Sequence, residues 1–174
     1  PETLNITKID TVNPLCHGSS DGTITVTATG GTGTYDFGIT GDTTLNNTTG
    51  IFTGLLAGTY IVLLRDANLC VASSSVPLTV TLSEPDSIII TSNVSDTLTC
   101  AYSPEGYIYL DVTGGTPTYS YLWSGGETTQ DLINIGAGTY HITVTDLNGC
   151  KAEKDITVAS KAPMLTVDDV TITK

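Results

Sequence analysis

Hydrophobic and polar residues alternate along short runs of this chain, and helical periodicity is nearly absent. Successive side chains of a strand point to opposite faces of its sheet, so the alternation predicts strands with one buried face. Glycine, proline, asparagine and aspartate separate the runs, which is typical of a β-sandwich. The side chains predicted to point inward are Tyr60, Val62, Leu64, Ile108, Leu110, Val112, Tyr140, Ile142 and Val144.

The pattern also repeats. At an offset of 84, Cys16 falls on Cys100 and the turn sequence Gly-Gly-Thr at 30–32 falls on the same sequence at 114–116. After a four-residue deletion the offset is 80, and Ala-Gly-Thr-Tyr at 57–60 falls on 137–140. Repetition at such a period predicts an array of domains. The predicted units are repeat 1 at 1–84, repeat 2 at 85–162, and 163–174 as the first strand of a third repeat or an extension of repeat 2.

Charge restricts the partners. The 174 residues carry a net charge of -12 with only six basic side chains. Because such a surface cannot neutralise phosphate groups, nucleic acid and anionic membranes are not expected partners. No apolar run reaches the ~18 residues that a membrane span needs, so direct membrane insertion is not expected. No secretory signal begins the sequence, and any export signal is expected outside this segment.

Four cysteines, two in each repeat, predict disulfides. Pairing within each repeat would join Cys16 to Cys70 and Cys100 to Cys150, which lie 54 and 50 residues apart. In the chain-entropy model each closed loop would contribute roughly 4 kcal/mol. Because no Cys-x-x-Cys pair is present, a zinc site is disfavoured, and the pattern predicts an oxidising, extracellular setting.

Several motifs recur in register and are specific as a set. They are a cysteine, Asp-Gly-x-Ile (Glu-Gly-x-Ile in repeat 2), Gly-Gly-x-x-x-Tyr, Ala-Gly-Thr-Tyr, Asp-x-Asn-x-Cys and a closing Glu-Pro or Ala-Pro. The set resembles the SprB-type repeat of very large Bacteroidetes surface adhesins. Repeat 2 fits best, whereas in repeat 1 Ile39 stands in place of Trp123 and Leu69 in place of the glycine before the cysteine.

This resemblance implies a fold and a function. The expected fold is all-β, with two tandem immunoglobulin-like antiparallel β-sandwich domains that each contain one intradomain disulfide. The expected function is a non-enzymatic stalk module of a secreted cell-surface adhesin, which serves in surface attachment or gliding motility and leaves the cell by type IX secretion. The expected partners are the neighbouring repeats of the same array and, as a second possibility, surface polysaccharide or another glycan.

Two groups of aromatic residues are candidate ligand sites. Tyr107 and Tyr109 alternate with inward residues and therefore point outward beside Asp111, an arrangement that suits carbohydrate recognition. They support the alternative that repeat 2 is itself a carbohydrate-binding adhesive module. The other aromatic group, Tyr119, Tyr121 and Trp123, also shares one face, and we predict that this face belongs to the core.

A third alternative is a pair of linker domains stiffened by calcium, which takes several oxygen ligands. The candidate ligand pairs are Asp21 with Asp66 and Glu105 with Asp146, although turn formation explains these residues equally well. No other cofactor is expected. Because His17 and His141 have no counterparts in the other repeat, and no spacing selects a nucleophile with a base, the sequence predicts no catalysis.

Overall fold

A computed structural model of the chain describes residues 2–41, 44–74, 78–95, 98 and 105–160. The chain divides into two compact units, Pro1–Ser87 and Ile88–Lys174. Throughout the described residues the secondary structure is β, without helix, so no helix there is long and apolar enough to cross a membrane. The predicted opening strand of a third repeat, within 163–174, lies outside the described residues.

Unit 1 consists of two sheets. Their strand orders are β5-β2-β1-β7 and β4-β3-β6-β8, and all pairs are antiparallel except a short parallel pairing of β1 with β7. The strands are β1 (Asn5–Val12), β2 (Gly22–Thr29), β3 (Asp36–Thr40), β4 (Thr44–Asn47), β5 (Ile51–Leu55), β6 (Gly58–Arg65), β7 (Ser73–Ser74) and β8 (Thr79–Leu82).

Unit 2 also contains two antiparallel sheets. Their strand orders are β12-β10-β9 and β11-β13-β14. The strands are β9 (Ile89–Val94), β10 (Gly106–Thr113), β11 (Ser120–Trp123), β12 (Leu132–Ile135), β13 (Gly138–Thr145) and β14 (Lys151–Val158). In unit 2, β10 corresponds to β2 of unit 1 and β13 corresponds to β6, and all four strands are eight residues long.

Each unit encloses one core between its two sheets. In unit 1, Ile24 of β2 and Val62 of β6 are fully buried in the same cluster, and in unit 2 Ile108 of β10 and Ile142 of β13 are equally buried. Burial alternates along β6 and β10 as the sequence predicts, since every second side chain faces the opposite sheet. The predicted all-β fold of two tandem β-sandwiches is thus confirmed, apart from its disulfides.

The two ends of the unit 1 sandwich are distinct. At the end that we call the turn pole, the 30–32 turn after β2 meets the Asp66–Cys70 turn after β6, where Ala67 N–H donates to the Thr32 carbonyl over 3.1 Å. At the opposite end, the loop pole, the 13–21 loop leads into β2 at Gly22. The length of β2 separates the poles, about 25 Å for eight residues at the rise of a β-strand.

Unit 2 has the same turn pole. There the 114–116 turn meets the Asp146–Cys150 turn, and Leu147 N–H donates to the Thr116 carbonyl over 3.0 Å. The chain comes into this unit at the turn pole, because Ile89 pairs with Thr113 at the end of β10. Its last strand runs to the far end, where Val158 pairs with Gly138.

We expect Ile142→Ala to destabilise unit 2 by about 2–5 kcal/mol, because the truncated side chain leaves a cavity in a fully buried core. Trp123, the only tryptophan, is buried in this core, so its fluorescence in a urea titration reports the unfolding of unit 2. Ile133→Ala is the matched control. Its side chain is 60% exposed, and the expected change is within about 0.5 kcal/mol. Equal effects of the two substitutions would contradict the assigned core.

Candidate functional site

An aromatic pair stands on the outer face of β10 in unit 2. The rings of Tyr107 and Tyr109 lie with their centroids 4.7 Å apart and their planes tilted by 30°, and Tyr109 is 48% exposed. Their neighbours Ile108 and Leu110 are buried, which leaves the tyrosines no place in the core. The structure therefore puts both predicted tyrosines together on one accessible surface.

Polar groups surround this pair. A shallow depression beside Tyr109 is lined by Thr91 and Asn93 of β9 and by the exposed Asp111. On the other side, Tyr107 pairs with the exposed Ile133 of β12. Sugar rings stack their C–H faces on aromatic rings and bond their hydroxyl groups to carboxylate and amide groups, and this surface offers both kinds of group.

Unit 1 has no such pair at the equivalent positions. Thr23 and Thr25 of β2 correspond to Tyr107 and Tyr109, and β2 shows the same alternation of buried and accessible residues as β10. The same frame thus carries threonines in one repeat and tyrosines in the other, so any ligand of the aromatic pair would bind only repeat 2.

The other aromatic group lies inward, as predicted. Trp123 is 2% exposed, and its indole Nε1–H donates to the Thr129 carbonyl over 2.9 Å. Tyr119 and Tyr121 are partly buried and pack against the same cluster. Burial raises the pKa of Tyr121, and the nearby Tyr119 and the charge of Asp131 act in the same direction. The rings therefore form no exposed stacking platform.

The carboxylates proposed as calcium ligands do not come together in pairs. Asp66 lies at the turn pole, whereas Asp21 accepts a hydrogen bond from Leu15 N–H in the loop at the opposite pole. In unit 2 Asp146 lies at the turn pole, and Glu105 precedes Gly106, which begins β10 at the other end of that strand. In the described part of the chain, no group of three His, Cys, Asp or Glu side chains is placed to hold a metal ion.

Asp66 connects the two turns of its pole instead. One carboxylate oxygen accepts the N–H of Thr32 over 3.0 Å, and the other accepts the N–H groups of Asn68 and Cys70, each over 2.9 Å. The side chain is only 5% exposed. Burial by itself raises the pKa of Asp66, but these N–H donors outweigh burial, and the net effect is a lowered pKa.

Asp146 makes the same three bonds in unit 2. It accepts from Thr116 N–H over 2.8 Å and from the N–H groups of Asn148 and Cys150, each over 2.9 Å. Gly115 is needed beside it, because its φ is +60° and a Cβ there would stand 2.8 Å from the Asp146 carboxylate. Sequence reasoning left these aspartates as either calcium ligands or turn-forming residues, and their recurrence opposite the Gly-Gly-Thr turn is the signal that favours the turn.

Two tyrosines in each repeat add further ties. Tyr35 donates its hydroxyl to the Gly30 carbonyl over 2.7 Å, and Tyr119 does the same to the Gly114 carbonyl. The late-strand tyrosines bond back four residues, with Tyr60 donating to Leu56 and Tyr140 to Gly136, over 2.9 Å in both cases. These last bonds have the form of a tyrosine corner. The aspartates and tyrosines that the two repeats share thus stabilise turns through hydrogen bonds to main-chain groups.

The predicted disulfide between Cys16 and Cys70 is wrong. Cys70 is a free, exposed thiol, whereas Cys16 is disulfide-bonded. Cys70 belongs to the turn pole, where its N–H binds Asp66, and Cys16 belongs to the loop pole, where its carbonyl accepts the N–H of Ser19. Disulfide geometry requires Cα atoms within about 7 Å, and the length of β2 separates these two loops.

In unit 2, Cys150 is disulfide-bonded and occupies the turn that corresponds to that of Cys70. Cys100 lies outside the described residues, so its predicted pairing stays a prediction. Unit 1 therefore lacks the predicted disulfide between Cys16 and Cys70, although Cys16 and Cys150 are each disulfide-bonded.

The histidines form ordinary surface pairs. His141 Nδ1 lies 2.7 Å from an Asp155 carboxylate oxygen, and His17 Nδ1 lies 2.9 Å from Glu84. Both imidazoles are about half exposed. Neither pair includes a nucleophilic side chain, so neither has the geometry of a catalytic triad.

Fold and site together define the class of protein. It consists of tandem β-sandwich repeats whose shared aspartates bind their own turns, and it contains a disulfide, which suits an oxidising compartment.

The family model described as SprB repeat matches residues 9–44 and 91–128, once in each unit. The two matched segments together cover less than half of the chain, and they bear out the resemblance to the SprB-type repeat found in the sequence. SprB repeats are cell-surface adhesin modules and are not a catalytic family.

Among solved structures, the chain is similar to the C-terminal 282-residue fragment of intimin, determined in complex with the intimin-binding domain of the translocated intimin receptor. The TM-score is 0.46 at 16% identity, and the alignment covers 88% of this chain and 64% of the intimin fragment, which is less than two thirds of it. No curated protein sequence matches the chain.

We expect Asp66→Asn to lower the melting temperature of unit 1 at neutral pH, because an amide can accept for two of the N–H donors but presents its own NH₂ to the third. Since the pKa of Asp66 is lowered, its contribution is present above the unfolded pKa of about 3.9 and is lost as the pH falls through the folded value. The difference from wild type should therefore shrink below about pH 4.

Thermal unfolding followed by the NMR intensities of unit 1 amides, from neutral to acidic pH, measures this difference. Asp10→Asn is the control, because Asp10 is exposed and forms a surface ion pair with the exposed Lys8, 2.8 Å away. A difference that stayed constant with pH would contradict the role of the Asp66 charge.

Proposed function

We propose that this chain is a non-enzymatic stalk segment of a large secreted adhesin, in which the two repeats serve as spacers that transmit force during surface attachment or gliding. The family supports the surface location, and its Bacteroidetes members support gliding motility and type IX secretion as the setting. Neighbouring repeats of the same array are the expected partners. The net charge of -12 continues to disfavour nucleic acid and anionic membranes.

One observation carries this proposal. The polar residues that the two repeats share form hydrogen bonds within their own unit, whereas the residues on the outer faces of the two units differ. Asp66 and Asp146 make the same three bonds, whereas Thr23 on an outer face of unit 1 is replaced by Tyr107 in unit 2. A repeated binding site would show the opposite pattern. A repeated spacer needs only a repeated frame.

The path of the chain through unit 1 also suits a load-bearing spacer. Gly31 N–H donates to the Glu2 carbonyl at the turn pole, and the last strand ends with Leu82 opposite Gly58 at the loop pole. Force applied through the two ends therefore acts along β1 and β8. Ladder hydrogen bonds lie perpendicular to antiparallel strands, so this force loads the bonds of each ladder together and does not open them one at a time.

A second candidate function rests on the aromatic pair alone. Repeat 2 would be a carbohydrate-binding module that stacks a sugar ring on Tyr107 and Tyr109 and bonds its hydroxyl groups to Asp111 and Asn93. Repeat 1 would then act as a spacer for it. Calcium stiffening has less support, because the oxygens of Asp66 and Asp146 already accept backbone N–H groups.

We expect that the folded chain shows no tyrosine-dependent binding on a glycan array that includes bacterial surface polysaccharides. Wild type should therefore give the same signal as Tyr107→Ala/Tyr109→Ala. The control is Thr23→Ala/Thr25→Ala, which changes the equivalent positions of unit 1. Glycan binding that only the tyrosine variant loses, with its circular dichroism unchanged, would replace the stalk function by the carbohydrate-binding one.

In single-molecule pulling of unit 1 with reductant present, we expect a higher rupture force when the handles are at Glu2 and Glu84, near opposite poles, than when they are at Glu2 and Asn68, both at the turn pole. The first geometry shears the ladders and the second peels them. Equal rupture forces would argue against a load-bearing role for this chain path.

A further inference from the structure

Strand β9 of unit 2 has an open edge. β10 pairs with one side of β9, and β9 ends the sheet β12-β10-β9, so no strand among the described residues covers its other side. In unit 1 the equivalent strand, β1, is covered on that side by β7, where Ser73 N–H donates to the Leu4 carbonyl over 3.1 Å. The two units therefore differ at the same edge of the same sheet.

The main-chain groups at this open edge follow from the ladder with β10. Ser95 N–H donates to the Tyr107 carbonyl over 3.0 Å. Residues of an antiparallel ladder bond to the partner strand alternately, so every second residue before Ser95 also faces β10. The residues between them direct their N–H and C=O groups to the open edge, and these are Ile90, Ser92 and Val94. Such a row is a template for a further strand unless it is protected.

A lysine side chain reaches this edge. Lys154 of β14 is half-buried, and its Nζ donates to the Ile90 carbonyl over 2.9 Å. Ile90 corresponds to Ile6 of unit 1, which pairs with Ser74 of β7. An ammonium group in unit 2 thus bonds to the position that a strand covers in unit 1.

The β9 segment itself is uncharged. Residues 87–95 read Ser-Ile-Ile-Ile-Thr-Ser-Asn-Val-Ser, without a charged residue, proline or glycine. Short segments of high β-propensity and low charge pair readily with identical segments of other copies. In unit 1, by contrast, β1 carries Lys8 and Asp10, and charges on an edge strand disfavour the addition of another strand. Any charge that protects β9 therefore has to come from another strand.

We propose that the open edge of β9 is a pairing surface for β9 of a second copy of this chain, and that Lys154 keeps this surface closed. The second copy is the partner that the uncharged segment fits, because an identical neutral strand brings no charge to the edge. Two copies would pair their β9 strands antiparallel about a twofold axis. The inference does not depend on the stalk function.

The ammonium group of Lys154 opposes this pairing in each copy. If an added strand took the Ile90 carbonyl, Lys154 would lose its hydrogen bond. If the lysine stayed in place, the added strand would cover its charge and remove it from water, without a carboxylate to compensate it. Inward-pointing charges of this kind are one means by which natural sheets prevent association through their edges.

Lys154→Met tests the proposal, because methionine retains an unbranched side chain over the core and removes the charge. In sedimentation equilibrium of the full chain, we expect its dimer dissociation constant to be at least about tenfold smaller than that of wild type. Both proteins carry Cys70→Ser, so that the exposed thiol cannot link two copies. A Lys154→Met chain that dimerises no more than wild type would overturn the proposal.

Two further variants are the matched controls. Lys151→Met removes the same charge from an exposed residue at the start of β14, and Lys154→Arg retains a cation at the edge. Both should behave as wild type does in sedimentation equilibrium. If Lys151→Met dimerised as tightly as Lys154→Met, net charge would explain the association, and the role assigned to Lys154 would be wrong.

A proline on β9 tests where the copies meet. Ser92→Pro removes an N–H that faces the open edge and leaves the bonds to β10 in place, a position at which edge strands tolerate proline. Added to Lys154→Met, it should restore the monomer. The fluorescence of the buried Trp123 reports whether each variant is folded. A folded double variant that still dimerised would place the contact elsewhere and contradict the proposal.

Amide hydrogen exchange locates the contact without the proline. In the Lys154→Met dimer, the amides of Ser92 and Val94 should exchange more slowly than in the wild-type monomer, because they then donate to the second copy. The amide of Ile133 on β12, the opposite edge strand of this sheet, should exchange equally in both. A dimer in which Ser92 and Val94 gained no protection would overturn the pairing through β9.

Discussion

A single buried carboxylate in each repeat holds the sandwich together at one end. Asp66 and Asp146 bind the N–H groups of their own turn and one N–H of the Gly-Gly-Thr turn from the other sheet. These turns end β2 and β6 in unit 1, and β10 and β13 in unit 2, so the carboxylate links an eight-residue strand of one sheet to an eight-residue strand of the other. The same turns include Gly115, with its φ of +60°, and the carbonyls of Gly30 and Gly114 that accept the tyrosine hydroxyl groups.

Alternation in the sequence predicted most of the fold because burial alone determines the side on which Ile108 or Val62 lies. It also separated the inward Trp123 from the outward Tyr109. It did not predict the function of Asp66, since a carboxylate that binds calcium and one that binds backbone N–H groups have the same sequence context in a turn. The donors are main-chain groups, which every residue except proline supplies, so the sequence does not identify them.

The cysteines were misread for a different reason. Spacing along a chain measures the loop that a disulfide would close, but it does not say at which end of a strand each cysteine lies. Cys16 precedes β2, which is eight residues long. Cys70 follows β6, which belongs to the other sheet and ends at the pole opposite Cys16. Counting strands between the cysteines, in addition to residues, would have placed them at opposite ends.

The outer faces of the two units share a frame but little chemistry. Ile61 and Leu63 are exposed on β6, where β13 carries His141 and Thr143, and tyrosines replace threonines on the neighbouring sheet. An antibody or a phage tail protein that recognised one repeat through these side chains would meet a different surface on the other. Tandem duplication on this frame therefore multiplies length without multiplying epitopes.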